Sequence, residues 1–314
     1  MEKQYVKRFL LESTLDRYLK EMKTDLHRGL RELASLIEEF ANQEHQLLLR
    51  QLFEQLLNNE ASPYYTALQQ LLDTVRPEII KTIALAGYNC RALGTAGQTD
   101  PVSEQTKQQP WCIQFHFDPT ADSSLSYAHV EKTVRQGKTH GIYFYVFTGT
   151  PTESMFANLV TLLRRNTDCV FLCFLADRAL QSGILTQLAS CKSTIFCLAV
   201  EGNTTPALAE NFRKRRLLYG IFHTYRQDTP VQLDELLDSS YLRAYPTPFY
   251  FLMADRPGQP SEDSLLSRQL SDWRMAPAYP VFPVDWFSDA QRIAASAHCA
   301  ASPLLVLTNS RISW

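Results

Sequence analysis

Residues 111–153 read WCIQFHFDPTADSSLSYAHVEKTVRQGKTHGIYFYVFTGTPTE. An apolar run from Trp111 to Phe117 stops at Asp118-Pro119, where proline fixes its own φ and offers no N–H to a ladder. A polar loop follows. From Ser126 to His140 the residues Tyr127, Val130 and Val134 share one helical face. Ser126 has the short hydroxyl that caps a helix start, and Gly141 suits the C-terminal exit. A second apolar run, Ile142 to Phe147, ends in Thr148-Gly149-Thr150-Pro151. Strand, helix and strand with a glycine at the exit form a βαβ unit, the seed of a parallel sheet with helical crossovers.

The alternation continues downstream. Strands are expected at 112–117, 142–148, 170–175, 194–200, 218–224 and 248–253, and helices near 126–139, 154–166, 178–189, 204–217, 231–240 and 262–273. Continuous apolar runs such as Ile195-Phe196-Cys197-Leu198-Ala199-Val200 fit parallel strands covered on both faces. Composition does not separate a barrel from an open doubly wound sheet. After 253 the pattern loosens: Ala254 to Pro260 reads as a loop, and Trp273 to Pro283 is rich in proline and aromatics.

Upstream, residues 1–88 form a helical region. One apolar stripe runs through Val6, Phe9, Leu10, Leu15, Tyr18, Leu19 and Met22. A second runs through Leu26, Leu30, Leu33, Ile37 and Phe40, and a third through Leu48, Leu49, Leu52, Phe53, Leu56 and Leu57. Ser62-Pro63 is a cap followed by proline in the first turn, and Pro77 starts a further helix. Such stripes must be buried. The helices are expected to pack together and onto the following domain, with docking of a partner protein as the alternative use of their apolar surface. Residues 89–110, rich in Gly, Gln, Thr and Pro, read as a linker, and 111–314 as the α/β domain with an irregular C-terminal segment.

The chain has 314 residues, 45% hydrophobic and 20% charged, enough for one large domain or two smaller ones. A net charge of −2 argues against broad capture of nucleic acid. The basic run Arg213-Lys214-Arg215-Arg216 reads as a solvated helix end, where cations meet the negative end of the dipole. No apolar stretch reaches the roughly 20 residues that span a bilayer, and the start Met1-Glu2-Lys3-Gln4-Tyr5 has no signal-peptide core. A cytoplasmic protein without membrane contact is expected. Seven scattered cysteines, an odd number, read as reduced thiols.

The segment DPT…LSYAHVEKTVRQGKTHGIYFYVFTGTP (118–151) resembles the opening of radical S-adenosylmethionine enzymes. In that family a Cys-x3-Cys-x2-Cys loop between the first strand and first helix holds a 4Fe–4S cluster. A Gly-Gly-Glu-Pro motif after the second strand holds the methionine end of the cofactor. Here Thr120-Ala121-Asp122-Ser123-Ser124-Leu125 occupies the loop with no cysteine, and Thr148-Gly149-Thr150-Pro151 stands where the second motif would be, without its acidic residue. The tail AASAHCAASPLLVLTNSRISW resembles the family's cysteine-bearing turn before a final strand; Cys299 matches that cysteine, and Ile312-Ser313-Trp314 stands near the next. The resemblance covers most of the chain and is strongest from 110 to 201. It implies an incomplete (β/α)6 TIM-like barrel with a helical N-terminal extension.

Three constellations are candidate sites. Thr148, Gly149, Thr150 and Pro151, with Glu201 of an Ala199-Val200-Glu201-Gly202 stretch that resembles the family's Ser-Val-Glu-Gly, would line a vestigial cofactor cleft at the C-terminal rim, where barrels place ligands. His116, Asp118, Glu201 and His223 make up a two-histidine carboxylate set of the kind that holds a mononuclear metal; hydrogen-bonded interior histidines are the plainer alternative. Cys169 and Cys173 have Cys-x3-Cys spacing but fall on a strand and lack a third thiolate.

The resemblance and the missing thiolates together imply a degenerate relative without an iron–sulfur cluster, without radical chemistry and without S-adenosylmethionine as a cofactor. The expected role is a non-catalytic partner of an intact paralogue or of its peptide or protein substrate. The alternatives are a ligand- or metal-binding enzyme built on the barrel rim, or a protein that still binds S-adenosylmethionine.

Overall fold

The computed structural model describes residues 2–40, 58–59, 61–90, 110–118, 125–175, 182–201, 204–226, 233, 237, 239–255, 265–296 and 304–308. The third apolar stripe, the 89–110 linker apart from its ends, Cys299 and the residues near 312–314 lie outside them.

Among the described residues four helices come first: α1 (Glu2–Thr24), α2 (Leu26–Phe40), α3 (Pro63–Thr74) and α4 (Pro77–Asn89). The Ser62 hydroxyl accepts from the Tyr64 N–H ahead of α3, and Pro63 occupies the first turn, where its missing N–H costs nothing. Then strands and helices alternate: β1 (Cys112–Phe117), α5 (Tyr127–Thr139), β2 (Phe144–Gly149), α6 (Glu153–Arg165), β3 (Val170–Leu175), α7 (Ser182–Leu188), β4 (Thr194–Ala199), α8 (Thr205–Lys214), β5 (Tyr219–Tyr225), α9 (Ser239–Ala244), β6 (Phe249–Ala254), α10 (Leu265–Met275), β7 (Phe282–Asp285), α11 (Trp286–Ser296) and β8 (Leu304–Leu307).

The eight described strands join one parallel sheet in the order β7-β6-β5-β4-β3-β2-β1-β8. The six expected strands are present within two residues of their predicted ends. The sheet is longer than the six-unit reading because β7 and β8 extend its two edges. β7 contains Pro283, which donates no ladder bond and is tolerated on an edge strand. Along this order β7 is six strand intervals from β1, about 29 Å in a flat sheet at roughly 4.8 Å per strand. Yet Trp286, the residue after β7, donates its indole N–H to Gln114 Oε1 on β1 at 3.0 Å, and the Trp111 indole donates to the Ala290 carbonyl of α11 at 3.0 Å. The sheet therefore curls into an incomplete barrel.

Crossover α5 shows how the sequence builds a unit. Ser126 Oγ accepts from the His129 N–H at 3.3 Å. At the other end Gly141 has φ +78, and the Ile142 N–H reaches back to Gly137 O while Gly141 N–H reaches Lys138 O, the paired bonds of a glycine-terminated helix. Val130 and Val134 are buried. Gly137 faces β2 so closely that a Cβ there would lie 2.4 Å from the Tyr145 hydroxyl, which donates to the Val134 or Ile142 carbonyl. On α6, Phe156, Leu159, Val160, Leu162 and Leu163 are buried, each contributing about 1.5–3 kcal/mol of transfer free energy before chain entropy offsets it.

Register fixes which side chains enter the barrel. Phe115 pairs with Phe147, Phe147 with Cys173, Cys173 with Phe196 and Phe196 with Tyr219, so this row shares one face. Phe196 and Phe212 of α8 have ring centroids 5.4 Å apart, so this is the helix-covered face. The alternate residues line the interior, where Phe174 meets Phe222 and Phe251 edge-on at 5.3 and 5.4 Å.

The N-terminal helices close the barrel at the N-terminal ends of its strands. Ala86 and Cys90 of the α4 end pack with Val170 at the start of β3, and Val75 and Ile79 belong to the barrel's own core cluster. Tyr64 stacks on Phe282 of β7 with centroids 4.2 Å apart. Helices α1 and α2 form a second layer around Leu15, Leu19, Met22 and Leu30, which shares Leu72 with α3. The expectation that the helices pack together and onto the barrel thus holds for the described stripes.

A Candidate functional site at the barrel mouth

Barrels of this kind place chemistry at the C-terminal ends of their strands. There β1 contributes Gln114 and His116, Asp118 directly follows that strand, and β2 contributes Thr148. Gln114 and Thr148 are buried, yet neither is isolated. The Trp286 N–H bonds Gln114 Oε1 at 3.0 Å; Gln114 Nε2 donates to Thr148 Oγ1 at 3.2 Å; His116 Nδ1 lies 3.1 Å from the same hydroxyl. Four side chains from β1, β2 and the β7–α11 junction so form a continuous polar chain across an apolar interior. Burying such groups without partners costs of order 1–3 kcal/mol each, so their mutual satisfaction explains why they are tolerated. Sequence reasoning singled out His116 and Thr148 but missed Gln114 and Trp286. The available signal was a lone amide in the apolar run Cys112-Ile113-Gln114-Phe115.

The two-histidine set does not assemble. His223 is four residues beyond Tyr219 and so shares the Phe115 face, whereas His116 is one residue from Phe115 and lies on the other. The two imidazoles therefore project from opposite sides of the sheet. His223 Nδ1 instead lies 3.7 Å from Glu201 Oε1. Among the described residues no group of three or more His, Cys, Asp or Glu is arranged to hold a metal ion.

The stretch Thr148 to Pro151 ends β2 with a backbone device. Gly149 has φ +80, and a Cβ there would stand 2.2 Å from the Phe117 carbonyl oxygen. The Thr150 N–H donates to that carbonyl at 2.8 Å. This amide at the strand end is thus spent on extending the parallel ladder between β1 and β2. Thr152 then caps α6, its Oγ1 accepting from the Met155 N–H at 3.3 Å. Glu201, with its side chain 73% exposed, stands beyond β4, and no hydrogen bond or ion pair joins it to 148–151 among the described residues.

The described thiols do not fit an iron–sulfur cluster. The described cysteines, Cys90, Cys112, Cys169, Cys173, Cys191 and Cys197, are buried and unbridged. Burial pushes every one of these thiols up, Cys90 and Cys191 to about 12. A cluster requires thiolates, and these sites favour the neutral form. Cys173 lies within the helix-facing row of β3, while Cys169 precedes the strand and its Sγ faces Asp168, so their Cys-x3-Cys spacing does not make a chelate.

No family model matches the sequence, and no curated protein matches it significantly. Among solved structures, the chain is similar to Streptococcus suis SuiB bound to S-adenosylmethionine, with 12% identity and a TM-score of 0.44 over 57% of this chain and 48% of that one. It is similar to the radical S-adenosylmethionine methyltransferase TsrM from Kitasatospora setae with cobalamin and a 4Fe–4S cluster bound, with 12% identity and a TM-score of 0.31 over 42% of this chain and 29% of that one. It is also similar to 3-dehydroquinate dehydratase from Geobacillus kaustophilus HTA426, with 11% identity and a TM-score of 0.39 over 66% of this chain and 84% of that one. The chain spans about half the length of the SuiB chain. Likenesses this distant carry no functional argument. No helix among the described residues is long and apolar enough to cross a membrane.

Proposed function

We propose that this chain is a degenerate relative of radical S-adenosylmethionine enzymes that holds no iron–sulfur cluster and acts as a binding partner of an active family member or of that enzyme's peptide or protein substrate. The observation that carries the reading is the chemistry of its sulfur. The segment 118–126 between β1 and α5 contains no cysteine, and every described thiol is buried, where desolvation disfavours the thiolate. The aromatic filling by Phe174, Phe222 and Phe251 and the spent amide of Thr150 support the same reading. The test is anaerobic reconstitution and capture of the tagged chain from its native host. The expected result is colourless protein that brings a cysteine-complete radical S-adenosylmethionine protein, or that protein's substrate, in comparable amount. A brown protein with about four irons per chain sinks the first half of the proposal, and a strictly solitary chain sinks the second.

The polar chain Trp286–Gln114–Thr148–His116 favours a second reading, a ligand-binding barrel with His116 at its mouth. Calorimetric titration with S-adenosylmethionine separates one version of it: heat of binding supports a retained cofactor site, and none removes it.

A further inference from the structure

A cavity of about 210 Å³ opens where the helical cap meets the barrel, at the end opposite the mouth. One wall is α3, through Leu71 and Val75; the others are the entry to β5, with Leu217 and Leu218, and the proline-flanked entry to β6. Three hydroxyls in these walls are already engaged. Thr74 Oγ1 donates to the Gln70 carbonyl at 2.5 Å, Tyr219 donates to the Pro246 carbonyl at 3.1 Å, and the Thr247 hydroxyl donates to the Tyr219 carbonyl. The cavity therefore presents hydrocarbon inside. Its exposed edge is different. Arg213, in the last turn of α8, lines it with an exposed guanidinium; the nearby carboxylate, Glu210, pairs directly with Lys214 at 2.7 Å and feels the Arg213 charge more weakly. The Arg213 charge is felt at the wall, where it opposes the burial that pushes Tyr219 up to about 12.

We propose that this seam is a binding site for a small monocarboxylic acid with a hydrocarbon body, the carboxylate on Arg213 and the chain between α3 and the β5 and β6 entries. The volume admits roughly seven water-sized groups, which suits a body of about six carbons. The site lies on the face that barrels use for stability rather than chemistry, so its occupant joins the cap to the barrel without entering the mouth. The inference is independent of whether the mouth is inert.

The test uses the full chain with hexanoate and its uncharged isostere hexanamide. Because the ligand binds the folded seam, hexanoate raises Tm progressively with concentration by mass action, in the millimolar range expected for so small a ligand. Hexanamide binds at least about threefold more weakly, the modest margin of an exposed charge pair. Arg213→Gln, an exposed change that leaves the fold intact, erases the difference between acid and amide. Gln70→Trp, at the exposed rim of α3, blocks both ligands while its own ligand-free melt stays cooperative. Equal binding of acid and amide by the wild type, or an Arg213→Gln variant that keeps the preference for hexanoate, overturns the proposal, as does the absence of any hexanoate effect on Tm and on the amide resonances of residues 70–75.

Discussion

At the scale of single residues, the chain depends on places where one atom decides. Gly149 is one. With φ +80 and the Phe117 carbonyl oxygen 2.2 Å from any Cβ, Gly149→Ala meets both the left-handed penalty of about 1–2 kcal/mol and a backbone clash. The expected loss is about 3 kcal/mol in urea denaturation; a loss under about 0.5 kcal/mol contradicts the geometry. Gln114 is another. Gln114→Leu keeps the volume but leaves the buried Trp286 N–H without its acceptor, while the Thr148 hydroxyl keeps His116 and the Phe115 carbonyl. One such orphan costs about 1–3 kcal/mol, so a loss of about 2 kcal/mol is expected. Thr148→Val added to that background should then change little more, because contacting residues are not additive. A full second penalty would show that the two side chains do not act through one another.

At the scale of elements, helix ends carry the argument. The α8–β5 turn has the double bond of a Schellman motif, Leu217 N–H to Phe212 O and Arg216 N–H to Arg213 O, yet the left-handed position is Arg216, with φ 53, where glycine is usual. The reason lies across the seam. Arg216 Nη2 donates to the carbonyls of Asp73 and Val75 at the end of α3, and its own carbonyl accepts from the Arg76 N–H. The basic run is thus a helix end as expected, but its last member ties the cap to the barrel. Arg216→Asn, which tolerates the same φ but lacks the reach, should cost about 1–2 kcal/mol by chemical denaturation; an unchanged midpoint would make the tie decorative. At the β7–α11 junction, buried Asp285 accepts from Ser288 at 2.6 Å and from Tyr225 at 3.2 Å, but desolvation dominates and raises its pKa. The folded state then keeps this proton longer than the unfolded chain, so stability falls as pH rises from about 3.8 through the folded value. Subtracting the pH profile of Asp285→Asn from that of the wild type should isolate a component of that sign, and a component that rises with pH refutes it. These ends also show what the sequence discloses. The caps at Ser62 and Ser126, the exit at Gly141 and the first six strands follow from local chemistry. β7 does not, because it is four residues long and carries Pro283. The Gln114–Thr148 link and the separation of His116 from His223 depend on register and on the curl of the sheet, which no local pattern encodes.

At the scale of the whole molecule, the question is whether residues 1–88 and the barrel are two folding units or one. Composition draws a boundary at 89–110, but packing runs across it. Val75 and Ile79 sit in the barrel's core cluster, Leu72 joins that layer to α1 and α2, and Tyr64 reaches Phe282. Arg76 adds a bond from its Nη2 to the Ala189 carbonyl at 2.5 Å. Lys81 on α4 faces both Glu12 and Asp16 on α1 at 3.3 and 3.0 Å, but such half-exposed pairs contribute little, about 0–1 kcal/mol; the apolar seam carries the coupling. Stripping the cap would return Cys112, Phe144 and Val170 to water at the open end of the barrel, and a barrel with an exposed apolar base is an aggregation site rather than a domain. One cooperative unit is therefore expected. Far-ultraviolet circular dichroism, weighted toward the helices, and the fluorescence of Trp111, Trp273 and Trp286, which sit in or against the barrel core, should report the same urea midpoint. A helical signal lost at a clearly lower concentration than the tryptophan signal would mean that the cap melts by itself, and that the seam is a contact between domains rather than part of a single core.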